Sequence, residues 1–272
     1  MKKDRHIEIM GILNLTDDSY FAESRCGNVS AAMKRMELML SEGADIIDIG
    51  ACSTRPGSLP VGEQEEWRRL EPVLSEIRRN FPSVSISIDT YWSSVVRKAY
   101  EIIGPFIVND ISAGEHDADM LNTAGSLGLR YVAMHKRGTP AQMQSLTDYD
   151  DVVKDVISYF QDFAVRAAEN GVSDWVLDPG FGFAKTLEQN YTLLNNLDKI
   201  KEQVSLCGFS PKVLVGVSRK SMIYKLLGIS PEDSLPATQV VHLASLQHGA
   251  DILRVHDVAE AVRTTRLFRV IN

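Results

Sequence analysis

Residues 84–110 read VSISIDTYWSSVVRKAYEIIGPFIVND, and this stretch contains the pattern that decides the fold. Two short apolar runs, at residues 84–88 and 106–108, have the length of β-strands, and the segment between them suits one helix. The first run stops at Asp89 and the second at Asn109 and Asp110. Since a strand, a helix and a strand in this order form a parallel unit, the stretch predicts parallel strands that end in polar side chains.

The same pattern recurs along the whole chain. Further apolar runs occupy residues 7–13, 46–50, 131–134, 175–177, 213–217 and 252–253. The polar residues that follow these runs are Asn14, Cys52 through Arg55, His135, Asp178, Ser218 through Lys220, and Arg254 with His256. Eight strand–helix units in about 250 residues favour a closed (β/α)8 TIM barrel over an open, doubly wound sheet. Because the strand ends of a barrel meet at one face, the pattern also predicts where the active site lies.

Segments with helical periodicity separate the strands. Apolar side chains recur at helical spacing in residues 29–40, 63–79 and 152–168. Thr186 and Gln189 have the spacing of a capping box, which predicts that a helix begins there. No linker rich in Pro, Gly or Ser interrupts the alternation, so we expect a single α/β domain over residues 1–272.

Composition narrows the class of protein. The chain has 272 residues, 44% of them hydrophobic and 24% charged, with a formal net charge of −7. That charge argues against nucleic acid or an anionic membrane as partner, and no apolar run approaches the ~18 residues of a membrane span. The three cysteines lack metal-ligand spacing and are odd in number, which indicates free thiols in a reducing compartment. With no apolar stretch of signal-peptide length near the start, we expect a cytoplasmic enzyme or binding protein.

Three polar strand endings suggest a binding site for a flat ring. Asp89, Asn109 and Asp178 each follow an apolar strand directly. Taken singly, each side chain is equally well explained by a structural hydrogen bond to a loop amide. Together, two carboxylates and an amide suit a heterocycle with adjacent N–H donors, such as a 2-amino-4-oxopyrimidine.

The last two strand endings suggest a phosphate site. Ser218-Arg219-Lys220-Ser221 follows the seventh run and Arg254-Val255-His256-Asp257 the eighth, and a phosphate site is common at this place in such barrels. The alternative is a solvated basic patch. At the end of the first strand, Asn14 could ligate a hard cation such as Mg²⁺ or serve a structural role. For His135 a packed, hydrogen-bonded role is favoured over acid–base catalysis, and Cys52 is interpreted as a small buried residue rather than a nucleophile.

Eight motifs at these positions resemble those of the dihydropteroate synthases, the folate-pathway enzymes that sulfonamides inhibit, and the resemblance covers nearly the whole chain. The motifs are MGILNLT at 10–16, STRPG at 53–57, IDTY at 88–91, NDIS at 109–112, MHKRGTP at 134–140, DPGFGFAK at 178–185, SRKSM at 218–222 and RVHDV at 254–258. The resemblance implies a dimeric barrel that joins 4-aminobenzoate to 6-hydroxymethyl-7,8-dihydropterin pyrophosphate. It also implies a dissociative reaction, in which pyrophosphate leaves with the help of Mg²⁺ before the arylamine attacks.

The resemblance assigns site residues in three groups. The pterin pyrophosphate would be bound by Thr54, Asp89, Asn109, Ile111, Met134, Asp178, Phe183, Lys220, Arg254 and His256. The 4-aminobenzoate would be bound by Tyr20, Thr54, Arg55, Pro56 and Ser218. The catalytic group would comprise Asn14, which also holds Mg²⁺, together with Arg55, Asp89, Lys220, Arg254 and His256.

The sequence departs from the family pattern in its first two long loops. The first loop usually reads Asn-x-Thr-Pro-Asp-Ser-Phe-Ser-Asp-Gly, whereas here Asp17, Tyr20 and Ala22 replace the proline, the phenylalanine and the second acid. In the second loop, Cys52 replaces the usual glutamate, and in the later glycine-rich motif Ala184 replaces a glycine. The first-loop changes leave open a pterin-binding paralogue without synthase activity. A second alternative is a methyltetrahydrofolate–corrinoid methyltransferase, which shares the pterin-binding barrel, although STRPG at 53–57 and SRKS at 218–221 favour the synthase.

Overall fold

The computed structural model describes residues 6–15, 25–52, 62–138, 142, 145–205 and 210–271, and the side chains of all of these except 25–28. Eight parallel strands form a closed barrel in chain order, with β1 hydrogen-bonded to both β2 and β8. The strands are β1 (Glu8–Asn14), β2 (Ile46–Gly50), β3 (Ser85–Asp89), β4 (Ile107–Asp110), β5 (Arg130–Met134), β6 (Trp175–Asp178), β7 (Lys212–Val215) and β8 (Ile252–Val255). The predicted (β/α)8 barrel is confirmed.

Helices separate the strands and surround the barrel. They are α1 (Arg25–Glu42), α2 (Glu63–Asn80), α3 (Ser93–Ile103), α4 (Met120–Ser126), α5 (Val152–Glu169), α6 (Leu187–Leu194), α7 (Leu197–Ser205), α8 (Ser221–Leu227), α9 (Leu235–Gln247) and α10 (Val258–Ile271). The predicted capping box is present, since Thr186 accepts from the Gln189 amide and the Gln189 side chain accepts from the Thr186 amide. Helix α1 begins at Arg25, several residues earlier than its apolar periodicity predicts.

An apolar layer fills the inside of the barrel below the site. It consists of one buried side chain from each of seven strands: Met10, Ile46, Ile107, Val132, Val176, Leu214 and Ile252. A larger apolar cluster lies outside the barrel, between the strands and the helices. The helices of the described ranges include none that is long and apolar enough to cross a membrane.

Strand geometry places a polar layer directly above this apolar layer. Side chains two residues apart on a strand point to the same face. The residues two places after the apolar layer are therefore also directed into the barrel, one step nearer its carboxyl-terminal mouth. They are Ile12, Asp48, Asn109, Met134, Asp178, Gly216 and Arg254, of which four are polar or charged. The same alternation that builds the core thus brings charged groups from several strands together.

Candidate active site

Asp89 of β3 lies opposite Asn109 in the strand register and so joins this level. Four side chains there form a connected cluster, which we call the arginine network: Asp48, Asp89, Asn109 and Arg254. The Arg254 guanidinium donates to Asp48 Oδ2, with Nε at 2.7 Å, and to Asp89 Oδ2, with Nη2 at 2.9 Å. Asn109 Nδ2 lies 3.2 Å from each carboxylate oxygen of Asp48, and Ser87 Oγ donates to Oδ1 at 2.6 Å. Strands β2, β3, β4 and β8 therefore contribute to one hydrogen-bonded unit.

Charge compensation explains how this unit is tolerated inside the barrel. Burial alone would lower the pKa of Arg254, but the negative charges of Asp48 and Asp89 outweigh it and raise that pKa. Burial raises the pKa of Asp89, and the positive charge of Arg254 opposes this rise. Asp48 has no exposed surface. Its negative charge is therefore compensated by Arg254 and by the neighbouring polar hydrogens rather than by water.

Asp48 is a functional-site residue that the sequence reasoning missed. It lies in the middle of β2, inside the run IIDIG, which was interpreted only as an apolar strand. A signal was available, because a buried strand rarely carries a carboxylate unless that carboxylate is paired. The position two residues after Ile46 also directs the side chain into the barrel.

The opposite side of the mouth is built by the last residue of β6 and the segment that follows it, residues 178–185, which we call the glycine loop. Asp178 Oδ1 accepts from the Gly180 amide at 2.8 Å. Lys220 Nζ donates to the Phe181 carbonyl at 2.7 Å and lies 4.9 Å from the centre of the Phe183 ring. Burial lowers the pKa of Lys220 to about 8, although the negative charge of Asp178 acts in the other direction. Burial likewise raises the pKa of Asp178, which Lys220 opposes.

A second lysine, Lys185, is the last residue of the glycine loop. Lys185 Nζ donates to the carbonyl oxygens of Gly180 and Phe183, each at 3.0 Å, and lies 3.0 Å from His135 Nδ1. His135 is therefore buried and hydrogen-bonded, as favoured from the sequence. Lys185 was not singled out from the sequence, where it was one letter of a longer motif.

The residues predicted for the phosphate site converge after β7 and β8. Ser218 is buried, and its Oγ accepts from the His256 amide at 3.3 Å. Arg35 Nη2, from α1, donates to the His256 carbonyl at 2.8 Å. Arg219 forms a two-pronged ion pair with Asp257, with Nε–Oδ2 and Nη2–Oδ1 distances of 2.8 and 2.9 Å. These bonds hold the two segments beside one another at the mouth.

Asn14 lies at the end of β1 beside the arginine network. A Cβ placed on Gly50 would lie 3.6 Å from Asn14 Oδ1 and 3.7 Å from Asp89 Oδ2, so the two oxygens border the same space. Oxygen is the donor that Mg²⁺ prefers, and this ion takes few protein ligands when phosphate is present. Asn14 therefore fits the predicted role. Across the described ranges, no group of three His, Cys, Asp or Glu side chains is arranged to hold a metal ion.

The remaining predicted residues fall into two sets. Met134 and Ile111 are buried at the ends of β5 and β4, and Phe183 is half-buried in the glycine loop. The predicted residues Tyr20, Thr54, Arg55 and Pro56, and the departures Asp17 and Ala22, lie outside the described residues. Cys52 is half-buried, and its Sγ lies 4.0 Å from the hydroxyl oxygen of Tyr91.

Comparison with known proteins identifies the family to which this site belongs. The family model described as "Pterin binding enzyme" matches residues 10–256. The dihydropteroate synthase of Escherichia coli K12 is 40% identical over 265 residues, which cover 96% of this chain and 90% of the relative. The chain belongs to the pterin-binding enzyme family, among the dihydropteroate synthases.

Solved structures of this family have the same fold. The dihydropteroate synthase of Thermus thermophilus in complex with 4-aminobenzoate superposes with a TM-score of 0.85 and 37% identity, covering 98% of this chain and 95% of that one. The same enzyme in complex with 6HMPPP gives a TM-score of 0.82 and 34% identity over the same shares. These names support the synthase over the corrinoid methyltransferase and the inactive paralogue.

Proposed function

We propose that the chain catalyses the condensation of 6-hydroxymethyl-7,8-dihydropterin pyrophosphate with 4-aminobenzoate, giving 7,8-dihydropteroate and pyrophosphate in folate biosynthesis. The observation that carries this proposal is the mouth of the barrel, where the polar layer and Lys220 bring carboxylates, an amide, an arginine and a lysine together. The two ligands in the Thermus thermophilus structures, 4-aminobenzoate and 6HMPPP, support the same pair of substrates.

The pterin ring would be held between the arginine network and the glycine loop. Its 2-amino and ring N–H groups are adjacent donors, and the carboxylates of Asp89 and Asp178 are acceptors. Asn109 can both donate and accept, and Lys220 can donate to the ring carbonyl or a ring nitrogen. Met134, Ile111 and Phe183 would cover the faces and edge of the ring.

The leaving group would be stabilised on the β1 and β8 side. Breaking the bond between the exocyclic carbon and the ester oxygen leaves both bonding electrons on pyrophosphate and positive charge on the pterin. Arg254 and His256 would bind the pyrophosphate. A Mg²⁺ ion held at Asn14 would neutralise part of its charge. The carboxylates of Asp89 and Asp178 would stabilise the cationic ring, because preorganised charges act strongly in a site that excludes water.

The arylamine then forms the new C–N bond and loses a proton from nitrogen. Ser218, buried beside the His256 amide, is the described residue assigned to 4-aminobenzoate. Tyr20, Thr54, Arg55 and Pro56 keep their predicted roles on the two loops. Exclusion of water is essential at this stage, since water would capture the same cation.

The enzyme would work as a cytoplasmic homodimer. Large apolar side chains are exposed on α8, just after it, and on α9 and α10: Leu226, Leu227, Ile229, Val240, Leu267, Val270 and Ile271. Helices α9 and α10 pack against each other, so these side chains extend over neighbouring elements. Exposed apolar area of this kind is typical of an interface between copies. Analytical ultracentrifugation should give twice the mass of the chain.

Product formation tests the proposed function. Purified protein is incubated with Mg²⁺, the pterin pyrophosphate and 4-aminobenzoate, and both pyrophosphate and dihydropteroate are measured. We expect equal amounts of the two products. Lys220→Ala should abolish most of the activity, whereas Lys154→Ala, which removes a highly exposed lysine, should not. Pterin binding without dihydropteroate would overturn the proposal.

A further inference from the structure

We propose that His135 and Lys185 act together as positioning residues for the pterin pocket, by tying the end of β5 to the glycine loop. This inference rests on the proposed function. Neither residue belongs to the set assigned to substrates above, but each is next to or bonded to a residue that does.

Lys185 has the coordination of a structural ammonium group. Its side chain is buried, and its three N–H donors match three acceptors: the Gly180 carbonyl, the Phe183 carbonyl and His135 Nδ1. Three bound donors hold the ammonium group in one position despite its flexible stem. Two of the three acceptors are main-chain atoms of the loop, so Lys185 determines the path of that backbone.

His135 contributes an acceptor rather than a charge. Nδ1 can accept from the ammonium only if the imidazole is neutral and carries its proton on Nε2. Burial, together with the positive charges of Lys185 and Arg137, holds the pKa of His135 well below its usual value. Burial lowers the pKa of Lys185 to about 7, while the charge of Asp178 raises it, so the ammonium form with three donors prevails below that pH, where the binding experiments are to be run. The ring is packed edge-on against Tyr159, with centres 4.9 Å apart.

The pair is connected to three walls of the pterin pocket. His135 directly follows Met134, and its amide donates to the Asp178 carbonyl at 2.9 Å. Lys185 binds the carbonyl of Phe183 itself. The Gly180 segment is held tightly against β5, because a Cβ on Gly180 would lie 1.9 Å from the His135 carbonyl oxygen. The β5–β6 ladder already holds Met134 opposite Asp178, so the His135–Lys185 bond sets the position of Phe183 relative to these two residues.

Substitution at His135 separates this role from a merely structural one. His135→Leu removes the acceptor, whereas His135→Asn retains an acceptor oxygen near the position of Nδ1. Lys185→Met removes the donors at nearly constant length. We expect the Leu and Met variants to weaken binding of the pterin pyrophosphate by about 10- to 100-fold, as for loss of a hydrogen bond to a charged group. His135→Asn should remain within about 3-fold of the parent protein.

The measurements are calorimetric binding of the pterin pyrophosphate, KM for 4-aminobenzoate, and thermal unfolding to establish the folded fraction. A positioning role changes pterin binding and leaves the arylamine KM within about 2-fold, whereas general loosening of the fold raises both. Equal pterin affinity in the Leu and Asn variants would overturn the proposal. If Lys185→Met does not fold, the two His135 variants decide the question alone.

Hydrogen exchange of the amides in residues 178–185, measured on the full chain without ligand, tests the positioning role separately from the proposed function. Exchange should be faster in His135→Leu than in the parent protein and near the parent rate in His135→Asn. If the parent protein fails to bind the pterin pyrophosphate, the proposed function fails, yet the exchange result still tests the tie between β5 and the loop. Unchanged exchange in His135→Leu would contradict that tie.

Discussion

The arginine network and the glycine loop both hold buried charge at the mouth of the barrel, but they compensate it differently. In the network, side chains pair with side chains, since Arg254 bonds to the carboxylates of Asp48 and Asp89. In the loop, the charged side chains pair mostly with the main chain, although Lys185 also bonds to the His135 ring. Lys220 and Lys185 donate to backbone carbonyls, and Asp178 accepts from a backbone amide.

The two halves of the site are therefore specified by the sequence in different ways. Residues of the network project from strands, so their positions follow from the barrel itself. The loop requires a particular backbone path, with φ of +70° at Gly180, +82° at Gly182 and +52° at Ala184. We therefore expect that removing a charge destabilises the network. Adding side-chain atoms should instead distort the backbone of the loop.

Arg254→Met should have the largest effect, because it leaves the buried carboxylate of Asp48 without its cation. Removing one partner of a buried ion pair costs about 3–5 kcal/mol, and we expect the free energy of unfolding to fall by this amount. The kcat/KM for the pterin pyrophosphate should fall about 100- to 1,000-fold, since the leaving group also loses a donor. Urea unfolding and steady-state kinetics measure the two quantities.

Arg254→Lys provides the control for this variant. Lysine keeps the positive charge but cannot bond to Asp48 and Asp89 through a planar fork. Most of the lost free energy of unfolding should therefore be recovered, but little of the lost kcat/KM. A methionine variant whose unfolding free energy stays within about 1 kcal/mol of the parent would show that Asp48 is not held by charge compensation.

Gly180→Ala should have the next largest effect, and it tests the loop in the opposite way. The new methyl group would lie 1.9 Å from the His135 carbonyl oxygen, so backbone must move. Strain and positive φ together predict a loss of about 3 kcal/mol in unfolding free energy, with at least about tenfold weaker pterin binding. Gly182→Ala is the matched control, because among the described residues its Cβ would meet Lys220 Cδ alone, at an ordinary contact distance of 3.6 Å.

The control should lose only about 1 kcal/mol, the cost of a left-handed conformation for alanine. Ala184 shows that the loop tolerates this cost at one position, where φ is +52° in a buried alanine. If Gly180→Ala and Gly182→Ala were equally stable, close contact with β5 would not be what shapes the loop.

The two regions also differ in how far the sequence predicts them. The strand endings Asp89, Asn109, Asp178 and Arg254 could be located because apolar runs stop visibly at them, and the barrel brings such endings together. Asp48 was missed because it lies inside a run rather than after it. Reading the strand by its two-residue alternation, with Ile46 inward and Asp48 next on the same face, would have revealed it.

The contacts of the glycine loop could not be derived from residue patterns alone. Hydrogen bonds from Lys185 and Lys220 end on carbonyl oxygens, which every residue possesses, so no residue type marks the partners. The neutral state of His135 likewise follows from its neighbours in space. The sequence predicted that this segment approaches a ligand, but its backbone path is a tertiary property.

The pH dependence of activity distinguishes the two regions further. Burial lowers the pKa of Lys220 to about 8, so its ammonium form, the form that donates to Phe181 and binds the pterin, is lost above that pH. The kcat/KM for the pterin pyrophosphate should therefore decline above that pKa, approaching about tenfold per pH unit. The pKa of Arg254 is raised, because Asp48 and Asp89 outweigh its burial, so the network contributes no such decline.

Lys220→Arg checks this assignment, since arginine stays protonated throughout the range. The alkaline decline should move upward in pH even if the overall rate is lower. An unchanged decline in the arginine variant would mean that another group, such as Lys185, is responsible.

Asp257→Asn should have the smallest effect, and it tests whether the two regions are coupled. Asp257 follows His256 on the network side, and its partner Arg219 lies between Ser218 and Lys220 on the loop side. The backbone of Arg219 has a φ of +53°, an unusual conformation that surrounding contacts must stabilise. Because both side chains are partly exposed, we expect a loss of about 1 kcal/mol of stability and roughly a 2- to 5-fold change in pterin pyrophosphate affinity.

Asp174→Asn is the matched control, since it breaks the 2.8 Å pair with Arg130 where β5 and β6 begin, far from the mouth. This substitution should lower the free energy of unfolding by a similar amount and leave the affinity for the pterin pyrophosphate unchanged. If both variants leave affinity unchanged, each region keeps its geometry independently, and the Arg219–Asp257 pair serves only stability. If Asp257→Asn alone weakens binding, the strand-built and loop-built halves of the site are joined through it.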